Sequence, residues 1–359
     1  MSDDVWLCWR EDVTEALDYQ TTTRDYRQID RAIRTASRSV EQQLHRTVVP
    51  VTATKAFNWP WPEYGRSYVL WLDADELVSV TTLTAGGITI PSTDYYLEPQ
   101  KSGPPYNRVE INLSTSSAFG GGNTWQRNIL ITGSWAGSDG ATDPAGTITS
   151  AITTTTQTTV AVSDASLVGV GAVLVCDSER MIVSGRTWAV TSDTDTLTAV
   201  NNDQAVTVAD GTTYRVGEVL LIDQERVKVL DIAGNTLTVK RAWDGTTLAA
   251  HTGATIYASR SLTVTRGALG STAATHTVSS ALSTVRVPGL VRSLTAAEAI
   301  LQLQREQAGY TTTHRGKTLG AGGDSSAGSS GGAISTSAIE DMRAAAYSSC
   351  ARKARTRVI

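Results

Sequence analysis

The sequence predicts an α+β chain: a core of N- and C-terminal helices with small antiparallel β-hairpins, interrupted by an all-β barrel or sandwich with an internal duplication. Three observations predict it. Val160–Val183 and Val206–Val229 match at 11 of 24 positions with an offset of 46 residues, including Gly171/Gly217, Asp177/Asp223, Glu179/Glu225 and Arg180/Arg226. Thr236–Thr252 and Ser261–Thr277 match at 9 of 17 positions with an offset of 25. Helical periodicity is confined to the two ends of the chain. The order front, front, back, back has a consequence for pairing. The second front meets the first back directly, so the last back must return to complete Val160–Val183. A single closed barrel or sandwich with pseudo-two-fold symmetry is expected, with no open edge.

The elements follow in order. Asp3, Asp4, Glu11, Asp12, Glu15 and Asp18 face one base, Arg10, and a short helix is expected around Asp4–Leu17. Arg24–Arg46 is the clearest helix: Ile29, Ala32, Ile33, Ala36, Val40 and Leu44 recur on one face, and Pro50 closes the region. Its other face carries Arg27, Arg31, Arg34 and Arg38, either a solvated face or an inter-subunit or lumen-facing stripe. Short strands are expected at Tyr68–Leu72, Leu77–Leu83, Ile88–Ile90, Tyr95–Leu97, Arg108–Leu113 and Arg127–Thr132, with a hairpin turn at Ala85-Gly86-Gly87. Gly137–Gly146 reads as a turn or linker, and the β module ends near Val287-Pro288-Gly289. Thr295-x-x-Glu298 and Ser337-x-x-Glu340 read as capping boxes of two more helices, separated by a Gly/Ser linker over 319–333. The expected division is therefore a core in two parts, 1–150 and 288–359, around an insertion at 151–287.

Composition narrows the function. The net charge of −4 argues against whole-chain nucleic-acid binding, and three scattered cysteines show neither a disulfide framework nor zinc spacing. No apolar run reaches membrane length and no signal-peptide layout is present, so no membrane partner and a cytoplasmic place of assembly are expected. Chemistry is sparse. His251 and His276 occupy equivalent repeat positions, which favours a hydrogen-bonding role at a turn or barrel edge; no second metal ligand lies at useful spacing. Asp177/Glu179/Arg180 and Asp223/Glu225/Arg226 read as hairpin turns with a cross-strand charge pair. Gly316-Lys317-Thr318 lacks the earlier glycine of a phosphate loop, since position 311 is Thr311, and Asp73, Asp75 and Glu76 lack calcium-loop spacing. No catalytic residue, metal or cofactor is expected. The strongest local field is Arg352, Lys353, Arg355 and Arg357, suited to phosphates, to an acidic partner or to plain solvation.

Four stretches carry a family resemblance: IDRAIRTASRSVEQQLHR within the helix Tyr26–His45, LDADELVSVTTLTAGGITI at Leu72–Ile90, YYLEPQKSGPPYNRVEIN at Tyr95–Asn112, and ILITGSWAG from Ile129. Together they resemble the head–tail connector (adaptor) proteins of bacteriophages with long non-contractile tails. The helix that follows the last motif in that family is delayed here to LTAAEAILQLQREQAG at Leu294–Gly309. The insertion is similar to a β module of other phage virion proteins through VGEVLLIDQERVKV and TLTVKRAWDGTTLAAHTGATIY. The resemblance covers roughly 1–137 and 290–359, and about 155–287 for the module.

It implies a non-enzymatic virion neck protein. About twelve copies would form a ring under the portal, extend the channel for genomic DNA without sequence recognition, and present a surface to the next tail-side protein. The C-terminal helix and its basic end would meet the portal. Ring closure needs two unlike matching faces, for which the acidic start and the arginine helix are candidates, each burying roughly 800 Å². The alternative is a surface-decoration or receptor- or glycan-binding virion protein that uses the β module, with Trp188 and Trp243 as candidate contacts. A hydrolase would need a convergent polar pocket that the sequence does not show.

Overall fold

A computed structural model describes residues 5–17, 26–60, 66–202, 204–315 and 336–352. Of the described residues 38% are in strands and 22% in helices. A helical core with small hairpins is therefore the wrong description: β-sheet dominates from Val51 to Val285, and only the two ends of the described residues are α-helical.

The N-terminal β region is the first reason. Strands β1 (Val51–Phe57), β2 (Val69–Trp71), β3 (Leu77–Ala85), β4 (Ile88–Thr89), β5 (Tyr95–Glu98), β6 (Arg108–Ile111) and β7 (Ile129–Trp135) form two antiparallel sheets, ordered β1-β7-β3-β4 and β2-β6-β5. They enclose a core of their own, with Leu72, Leu77, Val109, Ile129 and Ile131 fully buried. β1 escapes a hydrophobic-pattern reading because VTATKAF carries little apolar contrast, yet it pairs with all of β7.

The middle holds β8 (Thr142–Thr147), β9 (Thr159–Ala161), β10 (Val173–Cys176), β11 (Glu179–Leu197), β12 (Ala205–Thr207), β13 (Val219–Ile222), β14 (Glu225–Ala233), β15 (Thr236–Lys240), β16 (His251–Thr265) and β17 (Ala281–Val285). They form one ten-stranded sheet. The expected return pairing is present: Val160 lies opposite Leu262, and Val183 opposite Val264. The single barrel is not. β11 and β16 form a long ribbon, and each half of it belongs to a different small barrel.

Barrel A combines β8, β9, β10 and β17 with the first part of β11 and the last part of β16. It closes by Ser163 N–H donating to Thr147 O and Thr149 N–H to Ala161 O, 2.9 Å each. Barrel B combines β12 to β15 with the other halves of the ribbon. At its corresponding seam Thr207 N–H donates to the Asp195 carboxylate (2.8 Å) and Ala209 N–H to that of Asp193 (2.7 Å). Separate clusters fill the two barrels, around Leu174, Met181 and Leu262 in A and around Leu220, Val227 and Ile256 in B. The ribbon is bent between the two cores by irregularities in the β11–β16 register, between Val183 and Gly185, Thr187 and Ala189, and Val190 and Thr194. The sheet begins at Thr142, inside the stretch that glycine content suggested was a linker; Pro144 is accommodated because β8 is the end strand of the ladder.

Four helices complete the described residues: α1 (Arg10–Ala16), α2 (Tyr26–Leu44), α3 (Gly289–Arg315) and α4 (Thr336–Cys350). None is long and apolar enough to cross a membrane. α2 buries the face its periodicity predicts: Ile29, Ala32, Ile33, Ala36, Val40 and Leu44. α3 starts just after Pro288, six residues ahead of Thr295. Thr295 is thus interior, and its hydroxyl donates back to Val291 O (2.8 Å) rather than capping.

The helices pack on barrel A rather than only on each other. Val173, Ile182, Ala268, Leu269 and Val285 of the barrel share one cluster with Val40, Leu44, Val48, Val291, Leu294 and Ile339. The loop after β16 also docks on β1, where Thr52 N–H donates to Leu269 O (2.8 Å). Gly270 sits there at φ +76°, and a Cβ would lie 2.0 Å from Thr52 O. Gly270→Ala should therefore destabilise the protein by about 1–3 kcal/mol, read as a lowered urea midpoint. An unchanged midpoint would mean that this contact is slack.

Candidate functional site

Each barrel is organised by a buried carboxylate. β10 and β11 are joined by the two-residue turn Asp177-Ser178, and β13 and β14 by Asp223-Gln224. Asp177 and Asp223 both take φ +52°, a left-handed conformation that aspartate tolerates better than most residues. The turn points Glu179 and Glu225 inward and Arg180 and Arg226 outward, as strand alternation requires.

In barrel B, Arg241 Nε and Nη2 donate to the two oxygens of Glu225 at 2.8 and 2.9 Å. Ala242 N–H (2.8 Å), Ala249 N–H (3.0 Å) and His251 Nε2 (3.0 Å) reach the same carboxylate. His251 Nδ1 lies 2.7 Å from Asp223. Barrel A repeats this with Arg266 (2.7 Å twice), Gly267 N–H and Ala274 N–H (3.0 Å each) and His276 Nε2 (2.8 Å) around Glu179. His276 Nδ1 lies 3.0 Å from Asp177. Both glutamate side chains are fully buried. Burial alone would raise their pKa, but the donors outweigh it and hold both carboxyls down to about 2. Each centre ties a hairpin turn to a loop farther along the chain, 88 residues away in barrel A and 17 residues away, across β14 and β15, in barrel B.

One difference separates the halves. Cys176 occupies the position of Ile222, and its Sγ is 3.2 Å from His276 Nδ1. Burial first, then the charges of Asp177 and Glu179, push this thiol up to about 11.

The outward arginines dock the barrels on the rest of the chain. Arg180 donates to Thr52 Oγ1 (2.7 Å) and Ser134 Oγ (3.1 Å) on β1 and β7. Arg226 meets Asp244 and the Tyr26 hydroxyl of α2. Trp188 and Trp243 line a crevice between barrel B and α1–α2. Arg226 lies over Trp188, and Lys228 and Lys240 lie over Trp243. Both rings are half-buried, so they form part of this junction rather than an open platform.

Among the arginines singled out in the sequence, Arg27, Arg31, Arg34 and Arg38 are exposed along one face of α2. Arg31 pairs with Glu306 of α3 (2.6 Å), and Arg34 lies over Trp6 (5.7 Å). Arg31, Arg34 and Arg38 line a shallow groove with Thr35, Ser39 and Gln42. Arg352 is turned inward: its N–H donates to Leu44 O (3.0 Å) and its Nη1 to Ala74 O (2.9 Å). Lys353, Arg355 and Arg357 lie outside the described residues. The acidic start is not a free face either. Glu11 accepts from Val170 N–H (2.8 Å), Asp12 pairs with Arg292 (2.7 Å) and Glu15 with Lys228 (2.5 Å).

Sequence reasoning missed Arg241 and Arg266 and the meeting of Cys176 with His276. The signal for the arginines was available: both are identical positions of the back repeat, as Glu179/Glu225 are of the front. No protein-family model, curated protein or solved structure matches this chain.

Proposed function

We propose that the chain is a structural component of a bacteriophage neck, one subunit of a homo-oligomeric ring between portal and tail. The observation that carries this reading is α2. One face is fully committed to the core, while the opposite face presents Arg27, Arg31, Arg34 and Arg38 over about 16 Å. Arg31 is paired with Glu306 of α3, and the row as a whole keeps an excess of positive charge that suits phosphate contact without base reading, as the lining of a DNA passage requires, or the acidic face of a neighbouring subunit. The resemblance of the flanking segments to head–tail connectors points the same way. Barrel A, which shares its core with the helices, would then be part of the ring wall, and barrel B, which fills its own interior, would stand off it as a collar available to capsid or tail proteins.

The test is a cryo-EM reconstruction of the particle neck. A ring directly under the portal, with α2 facing either the channel or the next subunit, is the expected result. The chain located on the capsid surface or at the tail tip would overturn it and favour a decoration or receptor-binding role. A companion variant should remove only 353–359. α4 itself must stay, because Ile339 and Ala346 are buried in the shared core. The truncated protein should fold normally and fail to join portal to tail; normal particles would remove the basic end from the docking role.

A further inference from the structure

We propose that Cys176, Asp177 and His276 form a binding site in barrel A for a thiophilic divalent cation of the zinc class. Their donor atoms all lie within 4.8 Å of one another. Cys176 Sγ and Asp177 Oδ2 stand 3.2 and 3.0 Å from His276 Nδ1, and 4.0 Å from each other. Metal–sulfur bonds of about 2.3 Å and metal–nitrogen or metal–oxygen bonds of about 2.0 Å at tetrahedral angles set ligand separations of about 3.3–3.5 Å. Shifts of about half an ångström would satisfy all three, and the exposed Asp177 carboxylate has room to make them.

The ring nitrogen that faces the thiol is the one able to bind metal. Glu179 accepts from two arginine nitrogens and two backbone N–H groups, so its contact with His276 Nε2 is also one in which the ring donates. That hydrogen bond places a proton on Nε2; Nδ1 donates to the Asp177 carboxylate in the metal-free centre (3.0 Å), and an arriving ion displaces that proton to take the Nδ1 lone pair between Cys176 and Asp177. A carboxylate behind a histidine in this way fixes the ring and strengthens it as a ligand. Charge also balances: on uptake Sγ and Nδ1 each lose a proton to solvent, and one thiolate plus one carboxylate neutralise a divalent ion. Asp177 is mostly exposed while Cys176 and His276 are buried, so the ion enters from the turn and keeps a water at its fourth position.

Barrel B supplies the internal control. It has Asp223, Glu225, Arg241 and His251 in the same places but Ile222 instead of the thiol. The centre therefore builds a barrel without a cysteine, and the thiol is an addition peculiar to barrel A. The bound ion would pin the 177–178 turn to the end of the returning segment at His276.

The experiment uses the full-length, reduced, metal-free protein titrated with Co²⁺. The expected result is one equivalent bound per chain with a thiolate-to-cobalt charge-transfer band in the near ultraviolet, bleached by Zn²⁺. Cys176→Ile, the residue barrel B uses, should abolish the band while leaving circular dichroism and thermal unfolding of the metal-free protein intact. Asp177→Asn, on an exposed turn, should weaken Co²⁺ affinity by at least about 10-fold. Absence of the band at a large excess of metal would overturn the site. So would a band that persists in Cys176→Ile, which would assign the ligand to Cys8 or Cys350.

Discussion

Glu225→Gln is expected to cost about 3–5 kcal/mol, because it leaves the fully buried Arg241 without its counter-charge. The new amide would also turn a donor toward Arg241, Ala242 N–H or Ala249 N–H, all of which are donors already. The usual rescue of a buried ion pair, replacing both partners with apolar residues, should fail here. A Glu225→Leu/Arg241→Met double variant still strands two backbone N–H groups, each worth about 1–3 kcal/mol. Hydrogen exchange of the 241–252 segment gives a local readout. Both variants should exchange faster there than wild type, with barrel A little changed. A double variant as protected as wild type would show that the carboxylate acts only as a partner for arginine.

The same centres set an acid limit. Each carboxyl has an ordinary value near 4.5 and is held at about 2 in the folded protein. A depressed folded pKa contributes stability that is fully present above about pH 4.5 and disappears as the pH falls toward about 2. The contribution is about 3 kcal/mol per centre. Urea midpoints should therefore fall steeply below pH 4.5, and the fall should be shallower in Glu225→Gln.

Legibility in the sequence tracks the range of the contacts. α2 was readable because its burial pattern is local, and Ile29 to Leu44 repeat with the helix itself. The return pairing of β9 and β16 was readable, though its partners lie about 100 residues apart, because the duplication fixed which segments belong together. The number of barrels was not, because nothing in a repeat tells whether two halves enclose one interior or share a ribbon. The sheet character of the N-terminal part was underestimated for a similar reason. β1 gains its burial from β7, not from its own pattern. Of the candidate site, the two glutamates and two histidines were legible as repeated positions. Cys176 was not, because it is the one member of the centre that the duplication does not share.

Deleting the whole β insertion, 142–287, should leave the remaining chain insoluble, whereas deleting barrel B alone should not. The reason lies in where the cores are. Val170, Val173, Ile182, Ala268, Leu269 and Val285 belong to the insertion, yet they are buried against α1 to α4 and the segment before β1. Removing side chains of this kind costs about 1.5–3 kcal/mol apiece, a sum of about 10 kcal/mol that rivals the whole stability of a domain. It would also remove a partner of Arg10 and of Glu11, since Arg10 N–H and Glu11 both bond to Val170. Barrel B instead fills its own interior, from Leu197 and Val206 to Ile256. Replacing 189–259 with Asn-Gly would close the ribbon just beyond the Thr187–Ser261 pair by a tight hairpin turn. That protein should remain soluble and unfold cooperatively, losing the contacts of Tyr26, Glu15, Asp164 and Arg260 with barrel B. A soluble, cooperatively folded product of the larger deletion would show that the helices hold a core without barrel A, and that the insertion is a passenger rather than a part of the frame.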